Sequence, residues 1–227
     1  MLVTMDSILR AAQKGGYGVA APDAYNSSSV RACFEAAVNC KAPLILSCLG
    51  TTNMEETGEM AKFYAKKYPE AVVALHLDHG GAFDEIMRAL RCGYTSVMID
   101  RSKLVFEENV REVKEVVKIA HAIGVTVEAE LGHVGTGTEY AETRDSGLTH
   151  LDEAKAFVEQ TGVDALAVAV GTSHGVYKVT PRLGLDPLRE MAAAGEIPPG
   201  LYGGSGSGDG IRQWRSARRW QKLPLVH

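Results

Sequence analysis

No stretch of 18 or more apolar residues interrupts this chain and no basic-then-apolar leader opens it. Neither a membrane span nor a secretory signal is therefore expected. Cysteine is scarce: the four present (Cys33, Cys40, Cys48, Cys92) show no CxxC spacing. That argues against a disulfide framework and for free thiols in a reducing compartment, with the cytoplasm as the default. A surplus of positive charge is missing too, since 24 Lys and Arg stand against 28 Asp and Glu for a net charge of −4. No basic field points to nucleic acid or to an anionic membrane. Nor is there a low-complexity linker or a shift of composition before residue 200. What remains is an ordinary globular composition, 45% hydrophobic and 23% charged, in 227 residues. That is enough for one sizeable core.

Within this chain one stretch concentrates chemistry. Ala74-Leu-His-Leu-Asp-His-Gly80 puts two histidines and an aspartate within four residues, at the end of the apolar run Ala71–Leu75. The run reads as a buried strand punctuated by Gly80-Gly81. Polar, metal-capable side chains at the mouth of such a strand are costly to place unless something binds there.

Around it the chain alternates. Strands are expected at Tyr17–Ala21, Pro43–Cys48, the stretch above, Tyr94–Ile99, Val125–Glu130 and Asp164–Val170. Between them lie helical stripes at i, i+3, i+4, i+7 spacing: Val30, Cys33, Phe34 and Ala37; Met60, Phe63 and Tyr64; Phe83, Ile86, Met87 and Leu90; Val110, Val113, Val117 and Ala120; Ala154, Phe157 and Val158. Asn53 with Glu56, and Thr149 with Asp152, read as helix-start caps. Strand starts near 17, 43, 72, 94, 125 and 164 have the spacing of βαβ units, which predicts a parallel α/β barrel.

In such barrels chemistry sits at the C-terminal strand ends. Those ends carry Ser47, then Asp78 and His79, Asp100, Glu128 and Glu130, and Gly171-Thr-Ser-His174-Gly175. Packing alone does not call for acid, imidazole or hydroxyl at five consecutive ends. His79, His174 and a carboxylate are ligand types that suit a borderline divalent ion such as zinc. A lone loop histidine is more often hydrogen-bonded to backbone, but His174 shares a barrel face with His79. No lysine falls in the six strands, which disfavours a Schiff-base route.

Five motifs in order then resemble one family. His76-Leu-Asp-His-Gly80, Tyr94–Asp100, Val127–Gly132, Gly171–Gly175 and Gly203-Gly-Ser-Gly206 are similar to the class II fructose- and tagatose-bisphosphate aldolases, over about residues 5 to 208. The resemblance implies a (β/α)8 TIM-type barrel that cleaves a ketose bisphosphate to dihydroxyacetone phosphate and an aldehyde. It implies a zinc cofactor, a monovalent cation (Na⁺ or K⁺), and a homo-oligomer. By the same resemblance His79 and His174 match zinc ligands, and Asp100 and Glu130 match carboxylates that reach the metal. Asp78 matches the proton donor to the aldehyde oxygen, and Ser47 lies near the aldehyde-side contact. Gly175, Lys178, Gly203, Gly204 and Ser205 match the region that holds the phosphate and the monovalent cation. Glu139, beside Thr138, falls in a loop where the family keeps an acidic base.

Two departures qualify the expectation. Tyr202 stands where the family has its third zinc-binding histidine, and a phenol is a poor neutral zinc ligand. After Ser205 the family's last strand is not recognisable, and Pro198-Pro-Gly200 suits a strand badly. The expected organisation is an aldolase barrel over 1–206 and an atypical tail over 207–227 in place of the last βα unit. Seven strands at most are visible, so the expected barrel is truncated or altered after strand seven. Two readings follow: a zinc-dependent aldolase of reduced activity, or a catalytically inactive homologue that binds sugar phosphate or protein partners. A nucleic-acid role for the basic, aromatic tail ranks behind both.

Overall fold

The computed structural model describes residues 1–50, 53–132, 148–169, 199–200 and 222–225, the last two segments as backbone only. The elements run α1 (Met5–Gly15), β1 (Val19–Pro22), α2 (Ser27–Cys40), β2 (Leu44–Leu49), α3 (Met54–Lys67), β3 (Val73–Gly80) and α4 (Phe83–Cys92). They continue as β4 (Ser96–Ile99), α5 (Phe106–Ala122), β5 (Thr126–Leu131), α6 (Leu151–Thr161), β6 (Ala165–Val168), β7 (Pro199–Gly200) and β8 (Lys222–Leu225). The strands pair in parallel, in chain order, and β8 pairs with β1 to close the ring.

Parallel strands covered by helices are buried on both faces, so they read as unbroken apolar runs. This is why the TIM-type alternation was legible. The outer layer packs Leu46, Leu75, Leu77, Val97 and Val127 against helix residues such as Phe34, Ile86, Val113 and Phe157. The inner layer is small. Val19, Ala21, Ile45, Ala74 and Ala165 meet Met5, Ile8, Leu9 and Ala12 of α1, which plugs the N-terminal end of the barrel. The Asp6 backbone N–H donates to Thr126 Oγ1 at 3.1 Å and fixes this plug to β5. No expectation covered α1, although Met5, Ile8, Leu9 and Ala12 carry the same i, i+3, i+4, i+7 signal as the other helices.

Several expectations need correction. Where seven strands at most were expected, an eighth, β8, lies inside the stretch read as an atypical tail. Its Lys-Leu-Pro-Leu sequence has no β-branched residue and is interrupted by Pro224, so it did not read as a strand. Thr149 does not cap α6. The flanking position is His150, with no side-chain cap, while Thr149 Oγ1 donates to the Leu131 carbonyl and accepts from the Ala169 N–H. It thereby ties the ends of β5 and β6. The face of α3 is rotated from the expected one, with Met54, Thr57, Gly58, Ala61 and Tyr64 buried and Phe63 at 61% exposure. Phe63 instead packs edge-on against Tyr64. In α4 Phe83 is exposed, and Ile86 with Ala89 faces inward. The stripes of α2 and α5 stand as read. Asn53 does cap α3, its side chain accepting from the Glu56 N–H.

The cysteines are free among the described residues. Burial pushes the Cys33 thiol up to about 11 and the Cys48 thiol to about 12, so neither offers appreciable thiolate near neutrality. Alkylation of the native protein at pH 8 should therefore label exposed Cys40 first. Labelling of Cys33 and Cys48 should appear only after denaturation, as read by peptide mass. No helix among the described residues is long and apolar enough to cross a membrane.

Candidate metal and acid–base site

The C-terminal ends of β2 to β5 bring Ser47, Asp78, His79, Asp100 and Glu130 together. The key local feature is at the end of β3. Pairing with β4 shifts register between Leu77 and Gly80, so three steps on β3 match two on β4. His79 takes φ +49°, in the left-handed region that a non-glycine residue enters at a cost. On a regular strand the neighbours Asp78 and His79 would point to opposite faces. The bulge lets both serve one site, and strain of this kind recurs at functional positions.

Asp78 turns inward, 1% exposed, and its Oδ2 accepts the Ser47 hydroxyl at 2.7 Å. His79 leans towards the rim, where its Nδ1 lies 3.2 Å from Asp100 Oδ2 and 3.7 Å from Glu130 Oε2. The other Asp100 oxygen accepts from both the backbone N–H and the hydroxyl of Ser102, at 3.0 and 2.7 Å. One lone-pair face of Asp100 is thus aimed at the imidazole. From behind, the buried Asn109 side chain donates to the Glu130 carbonyl at 3.1 Å and holds the end of β5 to α5.

The electrostatics of the site favour a cation. Burial by itself pushes the His79 imidazole down, but the hydrogen bond to Asp100 and the negative charges of Asp78, Glu130 and Asp100 outweigh it and raise the group to about 9. Burial pushes Asp100 up, and its bonds to His79 and Ser102 still hold it well below the usual carboxylate range. Ligand atoms of His79, Asp100 and Glu130 all lie within 4.8 Å of one another. One imidazole nitrogen and two carboxylate oxygens form a donor set that fits zinc or a similar divalent ion. A cleft of about 460 Å³ opens beside them, lined by His79, Asp100, Arg101 and Lys103 among others.

The family's sequence pattern, described as fructose-bisphosphate aldolase class-II, matches residues 3–218. This chain belongs to the class II fructose-bisphosphate aldolase family, a family of lyases. It is 46% identical to a fructose-bisphosphate aldolase of Thermus caldophilus over 206 residues, 88% of this chain and 67% of that protein. It is 41% identical to one of Giardia intestinalis over 212 residues, 90% of this chain and 65% of that protein. The chain thus spans about two thirds of the length of these relatives. Among solved structures it is similar to the YdjI aldolase from Escherichia coli K12, with a TM-score of 0.85 at 31% identity, covering 99% of this chain and 81% of that one. A putative fructose-1,6-bisphosphate aldolase of Coccidioides immitis gives a TM-score of 0.82 at 26% identity, covering 96% and 79%.

Of the residues singled out from the sequence, the barrel brings five to one end: Ser47, Asp78, His79, Asp100 and Glu130. Glu139, His174, Gly175, Lys178, Gly203, Gly204 and Ser205 lie outside the described residues, as do Thr138 and Tyr202. Ser102 and Asn109, which orient the site residues, were not foreseen. Neither carries a pattern of its own, because each is recognised only by what it touches.

Proposed function

We propose that this chain catalyses the zinc-dependent aldol cleavage of a ketose bisphosphate, and its reversal, giving dihydroxyacetone phosphate and an aldehyde, at reduced turnover. The observation that carries this is the convergence of His79, Asp100 and Glu130 beside buried Asp78, on the barrel face where such enzymes work. His79 and Glu130, with Asp100 in reach, would hold the metal, and His174 would complete the set. When bound, zinc supplies Lewis-acid polarisation of the ketone oxygen.

The protein's own residues do the rest. Asp78 takes the proton of the hydroxyl at the breaking bond during cleavage and returns it to the aldehyde oxygen during condensation. Ser47 holds that carboxylate in one rotamer through its 2.7 Å hydrogen bond. Glu139 serves as the base for the dihydroxyacetone phosphate carbon. Gly175, Lys178 and Gly203 to Ser205 hold the phosphate, as backbone N–H groups in glycine-rich turns do, and a monovalent cation sits in the same region. The working form is a cytoplasmic homo-oligomer. Aldehyde release from fructose and tagatose 1,6-bisphosphates, followed by a coupled assay, tests the activity. Turnover should stop on chelation and return with zinc. Turnover that survives complete metal removal would overturn the zinc reading.

Tyr202 favours a second reading, an inactive homologue that still binds sugar phosphate. The two readings separate on one substitution. Tyr202→His should raise both zinc affinity and kcat/KM by roughly 10–100-fold. A wild-type chain that binds substrate without turnover, and gains none on this change, fits the second reading.

A further inference from the structure

Below the proposed metal residues the barrel encloses another polar cluster that the chemistry above leaves unused. His76 on β3, Ser96 on β4 and Glu128 on β5 are all fully buried. His76 Nδ1 lies 2.8 Å from Ser96 Oγ, and Nε2 lies 3.1 Å from Glu128 Oε2. The same Nε2 is 3.9 Å from Asp78 Oδ1, while the other Asp78 oxygen takes the Ser47 hydroxyl. Nε2 is thus the ring nitrogen turned towards both carboxyl groups. The ring is tied at Nδ1 to Ser96, and its Nε2 edge faces Glu128 and Asp78.

Stability gives little reason for such a cluster. Other interior positions of this barrel are Ile45, Ala74, Met98, Ala165 and Ala167. Apolar residues would fill the same space without desolvating an imidazole and a carboxylate. His76 precedes Asp78 by two residues on one strand, so both side chains stand on one face, a layer apart.

We propose that His76, locked by Glu128 and Ser96, is a positioning residue for Asp78. The fixed ring stands 3.9 Å from the Asp78 carboxylate and by contact and charge keeps it in the rotamer that reaches the reacting hydroxyl. This rests on the proton-transfer role proposed for Asp78.

The test is a double-mutant cycle in the full-length chain, with metal content measured for every variant. His76→Ala should lower kcat about 10–100-fold, the range typical of a residue that orients a reacting group, with KM changed by less than about threefold. In the D78N background the same substitution should cost less than about threefold, because the group it positions no longer transfers a proton. His76→Gln, which keeps a polar side chain there, should recover most of the loss. Equal losses in both backgrounds, or a fall in kcat matched by a fall in bound metal, would overturn the proposal. If His76→Ala does not fold, the H76L/E128L pair replaces the buried couple with apolar side chains and enters the same cycle with the same expectation. The D78N variant alone separates the two claims. Undiminished turnover removes the role of Asp78 and this inference with it, whereas low turnover with an additive cycle overturns only this inference.

Discussion

Asp78→Asn should lower kcat for aldol cleavage by about 10²–10⁴-fold, the range for loss of a positioned general acid–base group. KM, bound metal and melting temperature should stay near the parent values. The substitution is nearly isosteric, and an amide oxygen can still accept the Ser47 hydroxyl that the carboxylate now takes at 2.7 Å. The pocket stays filled and the bulge at the end of β3 has no new reason to move. What changes is the capacity to take a proton. Ser47→Ala is the informative partner, since it removes one hydrogen bond and leaves the charge. Its effect on kcat should be smaller, on the order of tenfold, in line with one hydrogen bond to a charged group. Steady-state kinetics of both variants decides. A D78N enzyme within tenfold of the parent would sink the assignment.

The sequence announced the first six strands because most are buried on both faces and bounded by turn residues, as in Leu44–Leu49 and Ala165–Val168. The final two strands were opaque for physical reasons. Pro199-Gly200 lacks side chains that favour a strand, and Pro224 interrupts Lys222–Leu225, so closure of the ring, not local preference, makes these segments strands. Helix faces were legible where one stripe dominates, as on α2. They were misread on α3, where Gly58 packs closely against Cys92 of α4 and Phe63 is exposed. The site residues were readable as polar groups at strand ends. The bulge that lets Asp78 and His79 share one site was not readable, because it depends on the pairing of β3 with β4. For the same reason His76 and Glu128, both visible in the sequence, could be given no role until their separation was known.

The largest stability effect is expected from Gly80→Ala. A Cβ at position 80 would lie 2.4 Å from the Met98 carbonyl oxygen and 3.1 Å from both Ile86 and Leu77 side chains. The nearest clash is with backbone on the neighbouring strand, which cannot rotate away. Either β3 or β4 must move, at a cost of about 2–3 kcal/mol for overpacking of this kind. For a domain of this size that is roughly 5–10 °C in melting temperature. The same movement displaces the bulge, and with it the Asp78 and His79 side chains, so activity should fall by more than the lost stability explains. A shift of 1 Å at a reacting group can cost about 10²-fold. Two control glycines make the claim specific. Gly81→Ala meets only Glu85 Oε2 at 3.7 Å, an ordinary contact, and should melt close to the parent. Gly58→Ala would meet the Cys92 carbonyl at 2.6 Å, between α3 and α4 and away from the strand ends. It should lose comparable stability and keep its kcat at temperatures where it is folded. Thermal melts paired with kcat at 25 °C separate the three cases. Equal kcat in the Gly80 and Gly58 variants would mean that the bulge tolerates movement and does not set the geometry of the site.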